Sequence, residues 1–130
     1  MSSGTNLAMV IVTAADSRYF IGLANLVGSV HYWSSATEIV IYDLGLDHRQ
    51  LDEVGRWRNV RQVGGFLDRE IPDHCRKLRL YAWKPLVIED AIRQHESVLW
   101  VDAGSDLRAP PWGRRCGNTN SPWPSRIRGP

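Results

Sequence analysis

Two carboxylates, Asp102 and Asp106, closely follow an apolar stretch from Val98 to Val101. Continuous apolar residues of this kind predict a buried parallel strand, and open α/β sheets bind ligands at the carboxyl ends of such strands. A carboxylate in that position can hold a divalent cation, which in turn neutralises a diphosphate. The alternative is that Asp102 only begins a turn with Gly104, because aspartate and glycine both favour turns.

The segments before this strand alternate between predicted strands and helices. Apolar runs at residues 7–12 and 38–42 predict two further strands, and the alternating residues 59–63 predict a third, more exposed one. Helical spacing of apolar residues predicts a first helix from Tyr19 to about Trp33, and Asp47 can cap a second that runs to Trp57. A third helix is expected over residues 85–95, after a surface loop at residues 66–79. The order β-α-β-α-β-α-β predicts a parallel α/β sheet with flanking helices.

Length and composition favour one globular domain, since the chain has 130 residues of which 43% are hydrophobic. Four of the 16 basic residues and none of the 14 acidic ones lie in the last 22 residues, so residues 1–108 carry a net charge of −2. No basic stripe with interleaved aromatic residues occurs there, and we expect no nucleic-acid partner. The longest apolar run, residues 7–12, is too short for a membrane span and follows no basic signal segment. The sequence as written is therefore expected to be soluble.

The last part of the chain differs in composition from the rest. Residues 109–130 hold five of the seven prolines and no apolar periodicity, which predicts a disordered Pro/Arg-rich tail behind a domain at residues 1–108. Cys116 lies in this tail and Cys75 in the domain. The two cysteines lack the spacing of a zinc site, and we expect two free thiols.

Five short motifs follow one another along the chain in a fixed order. They are Val10-Ile11-Val12-Thr13-Ala14-Ala15-Asp16, Tyr19, Leu26-Val27-Gly28-Ser29, Tyr81-Ala82-Trp83-Lys84 and Val98-Leu99-Trp100-Val101-Asp102-Ala103. Their order and spacing resemble the nucleotide-binding half of GT-A glycosyltransferases, above all the glycogenin-like, family 8 type and uncharacterised metazoan relatives, over residues 7–108. The resemblance implies a Rossmann-like GT-A fold and transfer of a sugar from a UDP-sugar donor to an acceptor that it does not identify.

The resemblance also implies roles for single residues. Thr13, Ala14 and Ala15, with Asp16 nearby, match the loop that cradles uridine and ribose. Tyr19 matches an aromatic residue that stacks on the uracil face, although its position also suits a core contact on the first helix.

Two further residues fit the nucleotide site less specifically. Lys84 resembles the lysine that approaches the diphosphate and assists the departing nucleotide, and its alternative is an ordinary solvated lysine. Asp43 could lie at the same edge of the sheet and contact the nucleotide, or it could form an Asx turn.

Asp102 matches the first acid of the family's Asp-x-Asp metal motif, so the resemblance implies Mn²⁺ or Mg²⁺ there. The third position of the motif is Gly104, and Asp106 could supply a second ligand only if its loop folds back. The acceptor-binding half, with its later metal-ligating histidine, does not follow the motif. We therefore expect an incomplete or inactive form of a glycosyltransferase.

A non-catalytic α/β interaction module is the alternative from a different functional class. A dinucleotide-binding enzyme is disfavoured, because no GxGxxG motif follows the first strand. Full-length relatives of the resembled type often work in the secretory pathway, including the Golgi, and the sequence leaves the compartment of this protein open.

Overall fold

The computed structural model describes residues 9–109 of the chain. Within this range four strands form one parallel sheet: β1 (Met9–Ala15), β2 (Ile39–Asp43), β3 (Val60–Val63) and β4 (Ser97–Trp100). They alternate with three helices, α1 (Phe20–Trp33), α2 (His48–Val54) and α3 (Trp83–Gln94). The predicted α/β class, with a Rossmann-like parallel sheet and flanking helices, is confirmed. The predicted tail begins at residue 109. Its residues from 110 on, including Cys116, lie outside the described residues.

The strands lie in the order β3-β2-β1-β4. Successive side chains of a strand point to opposite faces, so one sheet serves two apolar cores. Ile11 on β1 packs with Leu26 of α1 and Val54 of α2, whereas Val12 packs with Val87 of α3. The chain thus winds first to one side of β1 and then to the other, which makes the β1–β4 boundary the point where the strand order reverses.

The first strand is longer than predicted. The resemblance places Thr13, Ala14 and Ala15 in a loop, but they continue β1 and pair with residues 41–43 of β2. Small side chains are compatible with a strand when its neighbours supply the packing, and here both faces of the sheet are covered by helices. The turn instead begins at Asp16.

The helix ends follow local capping rules. Asp47 and Gln50 form the capping box of α2, as the sequence predicts for Asp47, but α2 ends at Val54 and not at Trp57. Trp57 lies beyond the helix and stacks on Phe20 with ring centroids 5.7 Å apart. The third helix starts at Trp83, so Pro85 falls in its first turn, where the missing N–H has no partner to lose. None of the helices between residues 9 and 109 is long and apolar enough to cross a membrane.

The segment predicted as a surface loop at residues 66–79 consists of short 3-10 turns at Phe66–Asp68, Asp73–Arg76 and Leu78–Leu80. Phe66 and Cys75 are buried, and Phe66 packs into the core on the α3 side of the sheet. Cys75 is a free thiol.

Candidate functional site

A cleft of about 450 Å³ opens at the carboxyl ends of β1 and β4. In open α/β sheets the crevice where the strand order reverses is the usual place for a ligand, because the two chains leaving the sheet there diverge to opposite faces. The residues that line it are Ala14, Ala15, Asp16, Arg18, Tyr19, Leu44, Leu78, Arg79, Tyr81, Trp83, Lys84, Asp102, Ala103 and Gly104.

The floor of the cleft on the β1 side carries small side chains and one buried acid. Ala14 and Ala15 leave room above the strand end, and Asp16 is only 9% exposed. The Asp16 carboxylate accepts the backbone N–H of Arg18 at 3.0 Å and two guanidinium N–H groups of Arg18 at 3.0 and 3.2 Å. Asp16 therefore caps the turn that leads into α1, and its charge is matched by Arg18.

Tyr19 stands at the rim of the cleft, directly before α1. Its side chain is 48% exposed, and the Arg18 guanidinium lies 5.8 Å from the ring centroid. A core contact would be buried, so the structure places Tyr19 at the cleft and not in the core. An exposed aromatic ring beside a cation can stack on a planar ligand ring.

The opposite wall comes from the segment that enters α3. Tyr81 adopts a left-handed backbone conformation, with φ of 56°, which non-glycine residues rarely do. The Trp83 indole N–H donates to the carbonyl of Leu78 at 3.0 Å and fixes this wall to the preceding turn. The unusual turn presents Tyr81 and Lys84 to the cleft.

Lys84 and Asp102 meet inside the cleft. The Lys84 Nζ donates to Asp102 Oδ1 at 3.0 Å, and the Trp100 indole N–H donates to the same oxygen at 3.0 Å. These contacts, the lysine first, lower the pKa of Asp102 below its usual value, although partial burial opposes them. The Lys84 ammonium also lies 5.6 and 5.7 Å from the ring centroids of Tyr81 and Trp100.

The segment after β4 is held in place by α1. The chain turns at Asp102, whose carbonyl accepts the N–H of Ser105 at 2.9 Å, so the predicted turn is present as well. A Cβ at Gly22 would lie 2.9 Å from the Ala103 carbonyl oxygen, so only glycine allows α1 to come this close. Further along, the Ser29 hydroxyl oxygen accepts the Leu107 N–H at 2.8 Å.

The residues expected to hold a divalent cation do not form a cation site. Asp106 does not line the cleft, and its carboxylate lies 3.6 Å from the Arg108 Nε. Asp102 is engaged by Lys84 and Trp100. Among residues 9–109 no three His, Cys, Asp or Glu side chains come together as metal ligands. A divalent cation at a diphosphate is usually held by one or two protein carboxylates beside water and phosphate oxygens. The two carboxylates that line this cleft are Asp102, held by Lys84 and Trp100, and Asp16, held by Arg18, so the donor set present does not fit Mn²⁺ or Mg²⁺.

Two other predicted nucleotide contacts lie away from the cleft. Thr13 is fully buried, and strand alternation places it on the same face as Ile11, under the α1 layer. Within the described residues its hydroxyl has no hydrogen-bond partner. Asp43 forms the Asx turn that was its alternative, since its Oδ1 accepts the N–H groups of Gly45 and Leu46 at 2.8 and 2.7 Å.

The cleft residues that the sequence analysis does not assign to the site include Arg18, Arg79 and Tyr81. Arg79 belongs to the segment interpreted as a plain surface loop, and within residues 9–109 it makes no ion pair. The signal that points to Arg18 and Arg79 is their position in sequence, since Arg18 precedes Tyr19 and Arg79 lies shortly before Lys84, whereas Tyr81 begins the motif that ends at Lys84. Arg18, Arg79 and Lys84 give the cleft three cations against the two acids Asp16 and Asp102.

Comparison with protein-family models finds one match, described as "Protein of unknown function (DUF1647)", over residues 2–89. The chain belongs to this family. No curated protein and no solved structure matches the sequence. The DUF1647 match includes the β1 end, Tyr19 and Lys84, whereas β4 and Asp102 follow its last matched residue.

Proposed function

We propose that this cleft binds a UDP-sugar and that the domain is a glycosyltransferase-like module. The observation that carries the proposal is the convergence, where the strand order reverses, of an exposed tyrosine ring with three cationic side chains. A nucleoside diphosphate combines the two groups that such a site recognises, a planar base and a run of negative charge. The sequence motifs of the GT-A type support the same ligand class.

Four cleft residues have a place in this proposal. Tyr19 stacks on the uracil, and the small residues Ala14 and Ala15 leave room for the ribose. Lys84 faces the diphosphate and stabilises the negative charge that develops when the bond from the sugar's anomeric carbon to the diphosphate oxygen breaks. The acceptor, whose oxygen takes the sugar, is not identified by any residue described here. We therefore propose donor binding for this chain.

Titration of the 130-residue chain with UDP, followed by amide chemical shifts, tests the proposal. We expect saturable shifts at Ala15, Tyr19 and Lys84. Tyr19→Ala should weaken UDP binding by about tenfold, since stacking of one base contributes about 1–3 kcal/mol. Tyr32→Ala is the matched control, because Tyr32 is exposed at the far end of α1. The absence of shifts at millimolar UDP in a folded sample would rule out the assignment.

A non-catalytic interaction module is the second candidate, and one surface favours it. Ile21 and Tyr32 are 74% and 79% exposed, and their spacing of 11 residues places them on one outer face of α1. If this function holds, Ile21→Ser with Tyr32→Ser should abolish self-association or partner binding and leave the UDP titration unchanged. Sedimentation velocity of the wild-type and doubly substituted chains distinguishes the two functions.

A further inference from the structure

We propose that Asp102 anchors Lys84 instead of ligating a metal, and that the cleft binds its diphosphate without a divalent cation. This inference rests on the proposed function and deepens it. It assigns a positioning role to Asp102 at the end of β4. Cationic side chains, and not a metal ion, then neutralise the charge of the diphosphate.

One of the two carboxylate oxygens of Asp102 is already used. Its Oδ1 accepts hydrogen bonds from the Lys84 ammonium and the Trp100 indole, both at 3.0 Å. A divalent cation at Oδ1 would have to displace both donors, and a cation at Oδ2 would face the lysine's positive charge across the same carboxylate. The Trp100 indole is a donor only and cannot become a metal ligand.

No second carboxylate is placed to complete a metal site. Gly104 occupies the position two residues after Asp102, and Asp106 lies outside the cleft beside Arg108. Asp16 does line the cleft, but both of its oxygens accept hydrogen bonds from Arg18. Within the part of the chain that the structure describes, one carboxylate at most would be left for the cation, so water and phosphate oxygens would have to supply all its other ligands.

The cleft supplies cationic side chains in the place of the metal. Lys84 is one-third exposed and contacts Asp102 and the rings of Tyr81 and Trp100. These contacts restrict its ammonium to few positions. A cation held in this way loses little conformational entropy when an anion binds. Arg79 lines the same wall and adds a second positive charge. Asp102 therefore supports diphosphate binding by positioning Lys84.

Isothermal titration of the wild-type chain with UDP, once in EDTA and once in millimolar MnCl₂, separates the possibilities. We expect the two dissociation constants to agree within about twofold. Binding that appears only with Mn²⁺, or that is about tenfold tighter with it, overturns the inference and leaves the proposed function standing. Binding in neither buffer overturns the proposed function, and the inference falls with it.

The variant Asp102→Asn gives different results for the two roles. Asparagine keeps an oxygen that can accept from Lys84 and Trp100 but removes one negative charge from the cleft. As an anchor, Asp102→Asn changes UDP binding by the same factor in EDTA and in MnCl₂, because neither the lost charge nor the contact with Lys84 involves a metal. As a metal ligand, it loses about tenfold or more in MnCl₂ and nothing in EDTA, and a loss confined to MnCl₂ overturns the anchor role. Asp52→Asn, an exposed site on α2, is the control for charge removal.

Discussion

Several weak contacts fix the position of the Lys84 side chain in the cleft. Its ion pair with Asp102 is exposed enough to contribute at most about 1 kcal/mol to folding. Each contact with the ring of Tyr81 or Trp100 contributes a similar amount. Together these contacts fix where the ammonium stands more than they stabilise the fold. Changes at Lys84 should therefore affect ligand binding before they affect stability.

At this residue we predict that Lys84→Gln weakens UDP binding by about tenfold and leaves uridine binding unchanged, because a hydrogen bond to a charged group is worth about 1.5–3 kcal/mol. Titration calorimetry with both ligands measures the difference. The control is Lys77→Gln, which removes an exposed lysine outside the cleft. An equal loss for uridine and UDP would show that Lys84 supports the cleft's shape and not the diphosphate.

Among the elements, α1 determines the width of the cleft through Gly22. Gly22 lets the helix approach the Ala103 carbonyl, and Ser29 on the same helix binds Leu107. These two contacts fix the segment that carries Asp102 against the helix that follows Tyr19. The distance between the two walls of the cleft on this side is therefore set by helix packing.

For this helix we predict opposite effects of two glycine substitutions. Gly28 has open space around its Cβ position, so Gly28→Ala should stabilise the fold by about 0.5–1 kcal/mol through helix propensity and leave UDP affinity unchanged. Gly22→Ala must shift the Ala103 backbone, which cancels that gain and weakens UDP binding. Urea unfolding and UDP titration of both variants measure the two effects. Equal stability and equal affinity of the two variants would contradict the close-approach role of Gly22.

At the scale of the whole molecule, a polar network joins the sheet to α3. The Tyr42 hydroxyl donates to Asp90 at 2.5 Å, and Arg69 lies 2.9 Å from the other oxygen of Asp90. Burial and the Asp90 contact raise the pKa of Tyr42. Burial acts to raise the pKa of Asp90, but the hydrogen bonds from Tyr42 and Arg69 outweigh it and lower that pKa. The network holds the segment around Arg69 on the α3 side of the fold.

The network predicts the pH dependence of stability. Asp90 has a lowered pKa in the folded state, so its contribution is present above the ordinary value of 3.8 and is lost as the pH falls further. Tyr42 has a raised pKa, so its contribution is present below pH 10.0 and is lost above it. Tyr42→Phe should lower the free energy of unfolding at neutral pH by about 1 kcal/mol and flatten the alkaline loss. Urea unfolding across the pH range, with Tyr32→Phe as the exposed control, checks this; an unchanged alkaline loss would contradict it.

The sequence by itself determined the α/β class and the order of elements. The periodicity of apolar residues and helix caps such as Asp47 are local signals, because each depends on residues only a few positions apart. It also placed Tyr19, Lys84 and Asp102 near strand or helix ends, and the structure brings these three to one cleft. Only the tertiary structure decided that Thr13 turns under α1 and that Asp43 and Asp106 stay outside the cleft.

Asp102, at the end of β4, also combines a local sequence signal with a contact that only the tertiary structure forms. Its position after an apolar run is a local signal, and it led to the predicted ligand edge. Its pairing with Lys84, 18 residues earlier, depends on α3 crossing to the far face of the sheet before β4 returns beside β1. No local pattern encodes that contact, since it arises from how the helices pack on the two faces of the sheet.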